Sequence, residues 1–275
     1  MNELLKEKLE ALKELLKSMR KVAIAFSGGV DSTFLLKVAR DVLGDNVMAI
    51  TLVSPLYPKR EIKEAKEIAR TLGVKHIIEQ EESILKNSAF LDNPPNRCYL
   101  CKKEEFEKIL DIAKKHDISY VLDGSNKDDL EDYRPGREAL KELGVRSPLL
   151  EIGFTKREIR ELSKEFGLPT YDKPSLACLA SRFPYGQRID VESLRKIDEA
   201  EEFLRDLGIK QVRVRNYKDM ARIEVDKESF RLFFDDNIRR KIVEKFKELG
   251  YIYITLDLEG YRTGSMNEVL WGKKK

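Results

Sequence analysis

Residues that build metal and redox centres are scarce in this sequence. Its 275 residues include three cysteines, two histidines and one tryptophan. An odd number of cysteines cannot form a closed set of disulfides. In a reducing compartment, cysteines are more often metal ligands or reactive thiols than disulfide partners. We therefore expect a cytoplasmic protein in which Cys98, Cys101 and Cys178 have a chemical role.

Long apolar runs and a strong net charge are also absent. No apolar stretch approaches the ~18–20 residues that a membrane span needs. Residues 1–20 have the leucine periodicity of an amphipathic helix rather than the pattern of a signal peptide. The net charge of +3 is small, which argues against a dedicated nucleic-acid binder. The sequence therefore predicts neither a membrane nor a nucleic-acid partner.

Charged residues of both signs are abundant. They make up 37 % of the chain, against roughly 25 % in typical soluble proteins. The excess is mainly Lys and Glu, a pattern of thermophilic proteins, in which ion-pair networks persist at high temperature. Hydrophobic residues still make up 41 % of the chain. We therefore expect a folded protein of thermophilic type with a sizeable core.

Short apolar runs alternate with amphipathic helical stretches from about residue 21 to residue 170. This alternation predicts an α/β fold with a parallel sheet covered on both faces. Beyond residue 188 a helix, two alternating strands, further helical residues and a last strand predict a smaller α+β domain. We place the first domain at residues 1–182 and the second at residues 183–275. The strands predicted for the first domain cover residues 22–26, 46–53, 75–80 and 120–125.

The hexapeptide SGGVDS, residues 27–32, joins the first predicted strand to the helical run TFLLKVARDVLG. Two glycines allow a tight turn and the close approach of a ligand, and the helix N-terminus offers free N–H groups to an anion. Ser27 and Ser32 add hydroxyl donors. Asp31 is out of place beside a phosphate unless a cation bridges the two, which implies Mg²⁺. The hexapeptide contains neither the GK[ST] of the Walker loop nor the GxGxxG of dinucleotide sites.

The hexapeptide resembles the SGGxDS loop of the PP-loop ATP pyrophosphatases, enzymes that cleave ATP to AMP and pyrophosphate. The resemblance implies a five-stranded parallel sheet, ATP and Mg²⁺ as ligands, and adenine bound near the end of the second strand. The segment DGSNKDD, residues 123–129, matches a family position and should face the nucleotide, because open α/β sheets bind ligands at the carboxyl ends of their strands. The predicted ATP-binding residues are Ser27, Gly28, Gly29, Val30, Asp31, Ser32, Thr51, Leu52, Val53, Gly124, Ser125 and Asn126.

Cys98 and Cys101 have the CxxC spacing that can place two thiolates on one ligand. Lys102 and Lys103 follow them, an electropositive setting that favours thiolate. A zinc site with a histidine ligand, a redox-active pair and inert buried thiols are alternatives. Iron–sulfur clusters normally take four thiolates, so a four-iron cluster on three cysteines would leave one iron open to an exchangeable ligand such as hydrosulfide.

Three further stretches, KPSLACLASRFPYG, VRVRN and LDLEGYRTGSMN, resemble the LarE family of ATP-dependent sulfur transferases. The resemblance implies that a carboxylate of pyridinium-3,5-biscarboxylic acid mononucleotide is adenylated and converted to a thiocarboxylate during synthesis of the nickel-pincer nucleotide. In sacrificial members a single cysteine, matching Cys178, gives up its sulfur and becomes dehydroalanine. This chain has Cys98 and Cys101 in addition to Cys178, and so it resembles the three-cysteine type of the family. That resemblance implies a 4Fe-4S cluster bound by all three cysteines. The resemblance also implies trimer-based homo-oligomers.

Arg213 and Arg215 alternate along QVRVRNY, so both point to one face of a strand. Two guanidinium groups on one face suit a phosphate through bidentate contacts. The resemblance suggests that they hold the phosphate of the substrate. A solvated face of salt bridges is the alternative.

Four other charged residues are candidates for the site. Arg182, four residues after Cys178, is expected to stabilise charge that builds on the acyl-adenylate or pyrophosphate, and Lys102 has the same predicted role. Glu201 and Glu224 are weaker candidates, because acids are plentiful in this chain and most are expected at the surface.

The predicted function is ATP-dependent sulfur transfer. ATP·Mg²⁺ binds at residues 27–32, a substrate carboxylate attacks the α-phosphorus, and sulfide from a sulfur donor, held at the three cysteines, displaces AMP. The alternatives are a tRNA thiolase, an ammonia-dependent AMP-forming synthetase and a non-enzymatic nucleotide-binding iron–sulfur sensor. Thiolases often carry further CxxC pairs or RNA-binding domains, which three cysteines cannot supply, and a synthetase would not need clustered thiols.

Overall fold

The computed structural model describes residues 3–130, 135–174 and 177–270 and divides the chain into two compact units. The first unit comprises residues 1–84 and 96–176, and the second comprises residues 85–95 and 177–275. The helices are α1 Glu3–Met19, α2 Val30–Leu43, α3 Lys59–Thr71, α4 Ser88–Leu91, α5 Arg97–Lys115, α6 Gly136–Glu142, α7 Pro148–Ile152, α8 Lys156–Glu165, α9 Val191–Asp206 and α10 Asp236–Glu248. The strands are β1 Val22–Ala25, β2 Val47–Val53, β3 Lys75–Gln80, β4 Tyr120–Leu122, β5 Val212–Tyr217, β6 Met220–Val225 and β7 Tyr253–Leu256.

The first unit is built on a parallel sheet in the order β3-β2-β1-β4. Successive residues of its central strands enter two different apolar clusters. Val22 and Ile24 pack with α1, α2 and α8, whereas Ala23 and Met48 pack with α5 and α6. Side chains alternate across a strand, so both faces of the sheet are covered by helices. The prediction of an α/β fold with a parallel sheet is confirmed.

The fifth parallel strand implied by the resemblance is not found among the described residues. An isolated parallel bridge between Leu122 and Arg146 lies at the edge of the sheet where such a strand would add. Only residues 145–147 separate Gly144, which has a positive φ after α6, from Pro148, which begins α7. Proline has no N–H to donate and favours the first turn of a helix, so the extended run ends after one bridge.

Two helices differ from their predicted limits or faces. The leucines at positions 4, 5, 9, 12, 15 and 16 are predicted to lie on one face of a helix. Helix α1 buries Leu5, Leu9, Leu12 and Leu16, but Leu4 is exposed. The stretch KKEEFEKILDIAKKHD predicts a helix from Lys102, but α5 begins five residues earlier, at Arg97. The CxxC motif is therefore helical.

The second unit contains a three-stranded mixed sheet in the order β5-β6-β7. Strands β5 and β6 are antiparallel, β6 and β7 are parallel, and α9 and α10 supply apolar side chains to the same core. Asn93 anchors the segment that leads into α9, because its side chain donates 2.7 Å to the carbonyl of Pro184 and its carbonyl accepts from the amide of Gly186 at 3.0 Å. Among the described residues, no helix is both long enough and apolar enough to span a membrane.

Candidate active site

The SGGVDS loop lies between β1 and α2, at the carboxyl end of a central strand. Gly29 is the N-cap of α2, and its amide donates 3.3 Å to the Ser27 hydroxyl. The Ser27 and Ser32 hydroxyl oxygens are 3.2 Å apart, and the Ser32 hydroxyl lies 3.3 Å from the Gly29 carbonyl. The hydroxyls and the first N–H groups of a fourteen-residue helix thus converge on one turn. That arrangement suits an anion.

Gly28 is required both by its backbone conformation and by its neighbour. Its φ is +69°, and a Cβ at this position would lie 3.0 Å from the Ala65 Cβ of α3. We expect Gly28→Ala to displace the loop and raise the Kd for ATP at least tenfold, about 1.4 kcal/mol. Isothermal titration calorimetry measures this change. Gly44→Ala is the matched control, because Gly44 has φ +59° with no atom within 4 Å of the added Cβ. Equal ATP affinity in both variants would contradict the assignment.

The DGSN segment meets the SGGVDS loop at Gly124. A Cβ on Gly124 would lie 3.0 Å from the amide nitrogen of Ser32 and 3.3 Å from the Cβ of Asp31. Asp123 holds the turn by accepting from the amide and hydroxyl of Ser125 and, at 2.5 Å, from the hydroxyl of Ser147. Burial raises the pKa of Asp123, and these hydrogen bonds oppose the rise. The two loops therefore lie against each other at Gly124, and their predicted contact with a nucleotide remains a prediction.

The remainder of this segment is also held by its own polar groups. The amide of Asn126 donates 2.9 Å to Asp129, and the amide of Asp128 donates 3.0 Å to the Asn126 side chain. Asp128 then accepts at 2.9 Å from the amide of Lys156, the first residue of α8. Asp128 and Asp129 are thus the residues that fix the loop shape and join it to α8.

Asp31 has the features of a cation ligand. One carboxylate oxygen, Oδ2, is paired with the Lys156 ammonium, while the other, Oδ1, is buried without a hydrogen-bond partner among the described residues. Burial raises the pKa of Asp31, and Lys156 opposes that rise. A buried carboxylate oxygen without a donor, beside a helix N-terminus, fits a Mg²⁺ ion that also binds phosphate.

At the end of β2, Thr51 is engaged within the protein. Its hydroxyl donates 2.5 Å to the Phe26 carbonyl and lies 2.7 Å from His76 Nε2. Burial, and then Lys66, lower the pKa of His76 to about 4. The Thr51 side chain therefore supports the residue before the SGGVDS loop, and the predicted contact of residues 51–53 with adenine remains a prediction.

A small pocket brings Cys101 to the carboxyl ends of β2 and β3. Leu52 of β2 and Glu81 beyond β3 line it from the sheet, and Cys101 lines it from α5. Cys98 and Cys101 lie one turn apart at the start of α5, and both side chains are half-buried. Residues three apart lie on one face of a helix, and a helix N-terminus favours negative charge, so two thiolate ligands fit here.

Lys102 also lies at the start of α5. Its ammonium is 2.7 Å from Glu105 and 5.5 Å from the centre of the Phe106 ring. Its charge opposes the rise in the pKa of Asp123, so the helix that bears the CxxC motif lies near the DGSN turn. The role of Lys102 toward a reacting phosphate remains a prediction.

The SGGVDS loop is also held by a lysine that the sequence did not single out. Lys173 donates 3.1 Å to the Gly28 carbonyl and pairs at 2.7 Å with both Glu61 and Glu64 of α3. Arg160 of α8 donates 2.6 Å to the Lys173 carbonyl. Lys173 is the first residue of KPSLACLASR, the motif that contains Cys178. Residues 175 and 176 of that motif lie outside the described part of the chain.

In the second unit, hydrogen bonds from Ser181 and Arg182 hold the backbone around Cys178. Cys178 is the N-cap of a 3₁₀ turn, Leu179–Arg182. Its carbonyl accepts from the hydroxyl of Ser181 at 2.8 Å and from the guanidinium of Arg182 at 3.1 Å, and Arg182 also donates 2.7 Å to the carbonyl of Ala177. These contacts fix the backbone from which the half-buried Cys178 side chain extends.

Arg182 and Glu201 form a fully buried ion pair, both with 0 % exposure. Two guanidinium nitrogens of Arg182 contact the Glu201 carboxylate at 2.8 and 2.9 Å, and Arg205 adds a third contact at 2.8 Å. Burial opposes the charge of Arg182, but Glu201 and, to a smaller extent, Cys178 raise its pKa overall. Glu201 is therefore a buried acid, unlike the surface acids that abundant Glu and Asp led us to expect.

A second pair, Arg215 and Glu224, lies across β5 and β6. Arg215 contacts Glu224 at 2.7 Å and the Ser181 carbonyl at 2.9 Å, while its Nε is buried without a partner among the described residues. Arg222 contacts the other oxygen of Glu224 at 3.0 Å. Glu224 is therefore buried as well.

Arg213 is buried beside the first pair, and its guanidinium lies 5.2 Å from the centre of the Tyr261 ring. Burial and the nearby charge of Arg182 lower the pKa of Arg213 to about 10. A solvated face of salt bridges is excluded for Arg213 and Arg215, since both are less than 6 % exposed. Their role toward a substrate phosphate remains a prediction.

No metal centre is assembled within residues 3–130, 135–174 and 177–270, where no three Cys, His, Asp or Glu side chains form a group able to hold a metal ion. None of the three cysteines forms a disulfide. The cluster on Cys98, Cys101 and Cys178 therefore stays a prediction, and the thiol pair of α5 is the part of its donor set that the structure shows.

Sequence reasoning missed several residues that shape the two regions. Arg205 could have been found from its spacing, because it follows Glu201 by four residues on one helix. Lys156 and Lys173 gave no such signal, since in a chain with 52 lysines and arginines a single lysine is unremarkable.

The sequence of this chain is similar to those of several known proteins. The family model for asparagine synthase matches residues 3–104. A protein of Synechocystis sp. described only as uncharacterized is 46 % identical over 97 % of this chain and 99 % of its own length. An uncharacterized protein of Methanocaldococcus jannaschii is 33 % identical over 92 % of this chain and 94 % of its own.

A relative with a described activity is the pyridinium-3,5-bisthiocarboxylic acid mononucleotide synthase of Lactiplantibacillus plantarum. It is 40 % identical over 258 residues, which cover 93 % of this chain and 92 % of the relative. The similarity spans both units, so it includes the SGGVDS loop and the region of Cys178. The chain belongs to the pyridinium-3,5-bisthiocarboxylic acid mononucleotide synthase family, the LarE family of ATP-using PP-loop enzymes.

Proposed function

We propose that this chain is an ATP-dependent sulfur transferase of nickel-pincer nucleotide synthesis. In the proposed reaction it adenylates a carboxylate of pyridinium-3,5-biscarboxylic acid mononucleotide, releases pyrophosphate and replaces AMP by sulfur. The observation that carries the proposal is the meeting of the SGGVDS and DGSN loops at Gly124, in a chain 40 % identical to the named synthase. The polyphosphate would lie on the N-terminus of α2, with residues 124–126 on its other side.

The residues around the SGGVDS loop suit adenylation. The carboxylate attacks the α-phosphorus and pyrophosphate leaves, so negative charge builds on the departing oxygens. The N–H groups of α2 and the ammonium of Lys102 would stabilise that charge. Mg²⁺, which Asp31 Oδ1 would bind, supplies further neutralisation of the phosphates.

Cys178 is the proposed site from which sulfur reaches the acyl-adenylate. Cys178 shares the motif KPSLACLASR with Lys173, which donates to the Gly28 carbonyl. Arg182 would act as a positioning residue, since it binds the carbonyls of Ala177 and Cys178 and is fully buried.

We further propose that Cys98, Cys101 and Cys178 hold a 4Fe-4S cluster. Its chemistry would be to carry an exchangeable sulfide at the iron left open by three thiolates. The substrate phosphate is assigned to Arg213 and Arg215, which carry buried positive charge in the second unit. We also propose that the chain forms homo-oligomers built from trimers.

The test uses anaerobically purified full-length protein with ATP, Mg²⁺, sulfide and the biscarboxylic acid mononucleotide. We expect pyrophosphate release that depends on the substrate, a thiocarboxylate product detected by mass spectrometry, and a visible absorption band with about four irons per chain. Pyrophosphate release without sulfur incorporation would instead indicate a synthetase. No release of pyrophosphate would contradict the proposed function as a whole.

A further inference from the structure

Lys156 connects three parts of the nucleotide region that are distant in sequence. Its side chain pairs with Asp31 of the SGGVDS loop, and its backbone amide donates 2.9 Å to Asp128 of the DGSN segment. A capping box in which Thr155 and Glu158 satisfy each other's amides fixes the start of α8, so the position of the Lys156 Cα is set independently of its side chain. The Lys156 side chain therefore extends from a fixed backbone position toward the SGGVDS loop.

The ammonium of Lys156 has donors to spare. Lysine carries three N–H donors, and Asp31 is the acceptor for one of them. Among the described residues no other acceptor binds this ammonium, and its side chain is partly exposed to solvent. By contrast, Lys173 uses its donors on Gly28, Glu61 and Glu64. Of these two lysines beside the loop, Lys156 is the one with N–H groups available to a ligand.

Several aspartates lie near Lys156, so an anionic ligand would bind here only with positive charge beside it. Asp31, Asp123, Asp128 and Asp129 lie in the two loops. A polyphosphate brought to this surface adds further negative charge, which is repelled unless positive charge neutralises it. The ammonium already on Asp31 is positioned to provide it.

We propose that Lys156 is a polyphosphate-binding residue of the ATP site that neutralises Asp31 until Mg²⁺ replaces it there. Without Mg²⁺, the ammonium would bind a phosphate oxygen of ATP through its remaining N–H groups while it stays paired with Asp31. With Mg²⁺ bound, the Asp31 carboxylate would be a metal ligand and the ammonium would contact the phosphate alone, while the backbone contact to Asp128 remains. No covalent bond changes in this exchange. The inference deepens the proposed function and depends on it, since it assumes that the loops bind ATP.

The proposal predicts that Lys156→Met weakens the binding of ATP measured without Mg²⁺ but strengthens the response of ATP binding to Mg²⁺. Loss of the phosphate contact should raise the Kd for ATP measured in EDTA about tenfold, the effect of losing one charge-assisted hydrogen bond. Loss of the competitor for Asp31 should lower the Mg²⁺ concentration that gives half-maximal tightening of ATP binding. A purely structural defect would weaken both. Both quantities are measured on the full chain by fluorescence titration with a labelled ATP analogue.

Two controls keep the result interpretable. Arg157→Met removes a positive charge from the next residue of α8, which is exposed, and should leave both quantities within about twofold of the wild-type values. Acetylation of the wild-type protein by acetic anhydride needs no variant. ATP without Mg²⁺ should slow the modification of Lys156 several-fold and leave that of Lys63, an exposed residue of α3, unchanged.

Each outcome decides the inference. If wild-type protein does not bind ATP, the proposed function fails and the inference fails with it. If wild-type protein binds ATP while Lys156→Met keeps its affinity, or if both ATP and Mg²⁺ affinities fall together, the role of Lys156 is overturned and the proposed function stands. If Lys156→Met does not fold, the acetylation experiment decides alone, and unprotected Lys156 overturns the inference.

Discussion

Cys178→Ala should reduce sulfur transfer to the background rate while the enzyme still releases pyrophosphate. The contacts that fix this segment are made by backbone carbonyls of Ala177 and Cys178, not by the thiol, so the fold and the nucleotide loops should remain intact. The acyl-adenylate would then form and be lost to water. Thiocarboxylate formation is followed by mass spectrometry and pyrophosphate by a coupled assay.

Cys98→Ala and Cys101→Ala are the informative companions of this variant. If the three cysteines hold one cluster, both variants should lose bound iron and repeated turnover. If Cys178 instead gives up its own sulfur, both should still complete one round, and Cys178 should become dehydroalanine. Transfer at the wild-type rate by Cys178→Ala would remove this residue from the reaction.

Glu201→Ala should destabilise the second unit by about 3–5 kcal/mol, the range found when one partner of a buried ion pair is removed. Arg182, fully buried, would lose both contacts to the carboxylate, and Arg205 would lose its contact as well. Chemical denaturation followed by circular dichroism measures the loss. Glu202→Ala is the control, because Glu202 is the next residue, is partly exposed, and has a 3.7 Å contact to Arg205; it should cost under about 1 kcal/mol.

The same pair gives this unit a defined response to acid. Burial disfavours the charge of Glu201, but Arg182, Arg213 and Arg205 outweigh it and lower its pKa from 4.5 to about 2. Because the folded-state pKa is the lower one, the stabilisation is fully present above pH 4.5 and is lost as the pH falls toward 2. Glu201→Gln should flatten this part of the pH–stability curve. An unchanged acid limb in that variant would assign the response to other carboxylates.

The sequence was sufficient where one local pattern decides the outcome. Glycines beside a strand and a helix start located the SGGVDS loop between β1 and α2, and apolar runs located the four parallel strands. The single bridge that stands where a fifth strand would add, within the described residues, could not be foreseen from the sequence, because it depends on how Arg146 approaches β4.

Burial of charge was the main property that the sequence concealed. Glutamates are usually exposed, but Glu201 and Glu224 are buried, each paired with an arginine from another element, Arg182 or Arg215. Such pairs require contacts between residues 9 to 19 positions apart. Local periodicity does not encode these contacts. Lys156 and Asp31 are an extreme case, because 125 residues separate them.

The second unit concentrates positive charge in its core. Arg182, Arg213 and Arg215 are buried there, and the charge of Arg182 helps to lower the pKa of Arg213. Like charges that are held close together away from water repel one another, and folding has to overcome this repulsion. A phosphate monoester, which carries close to two negative charges at neutral pH, would offset the repulsion if it bound beside these groups. Part of the affinity for such a group would then be built in when the chain folds.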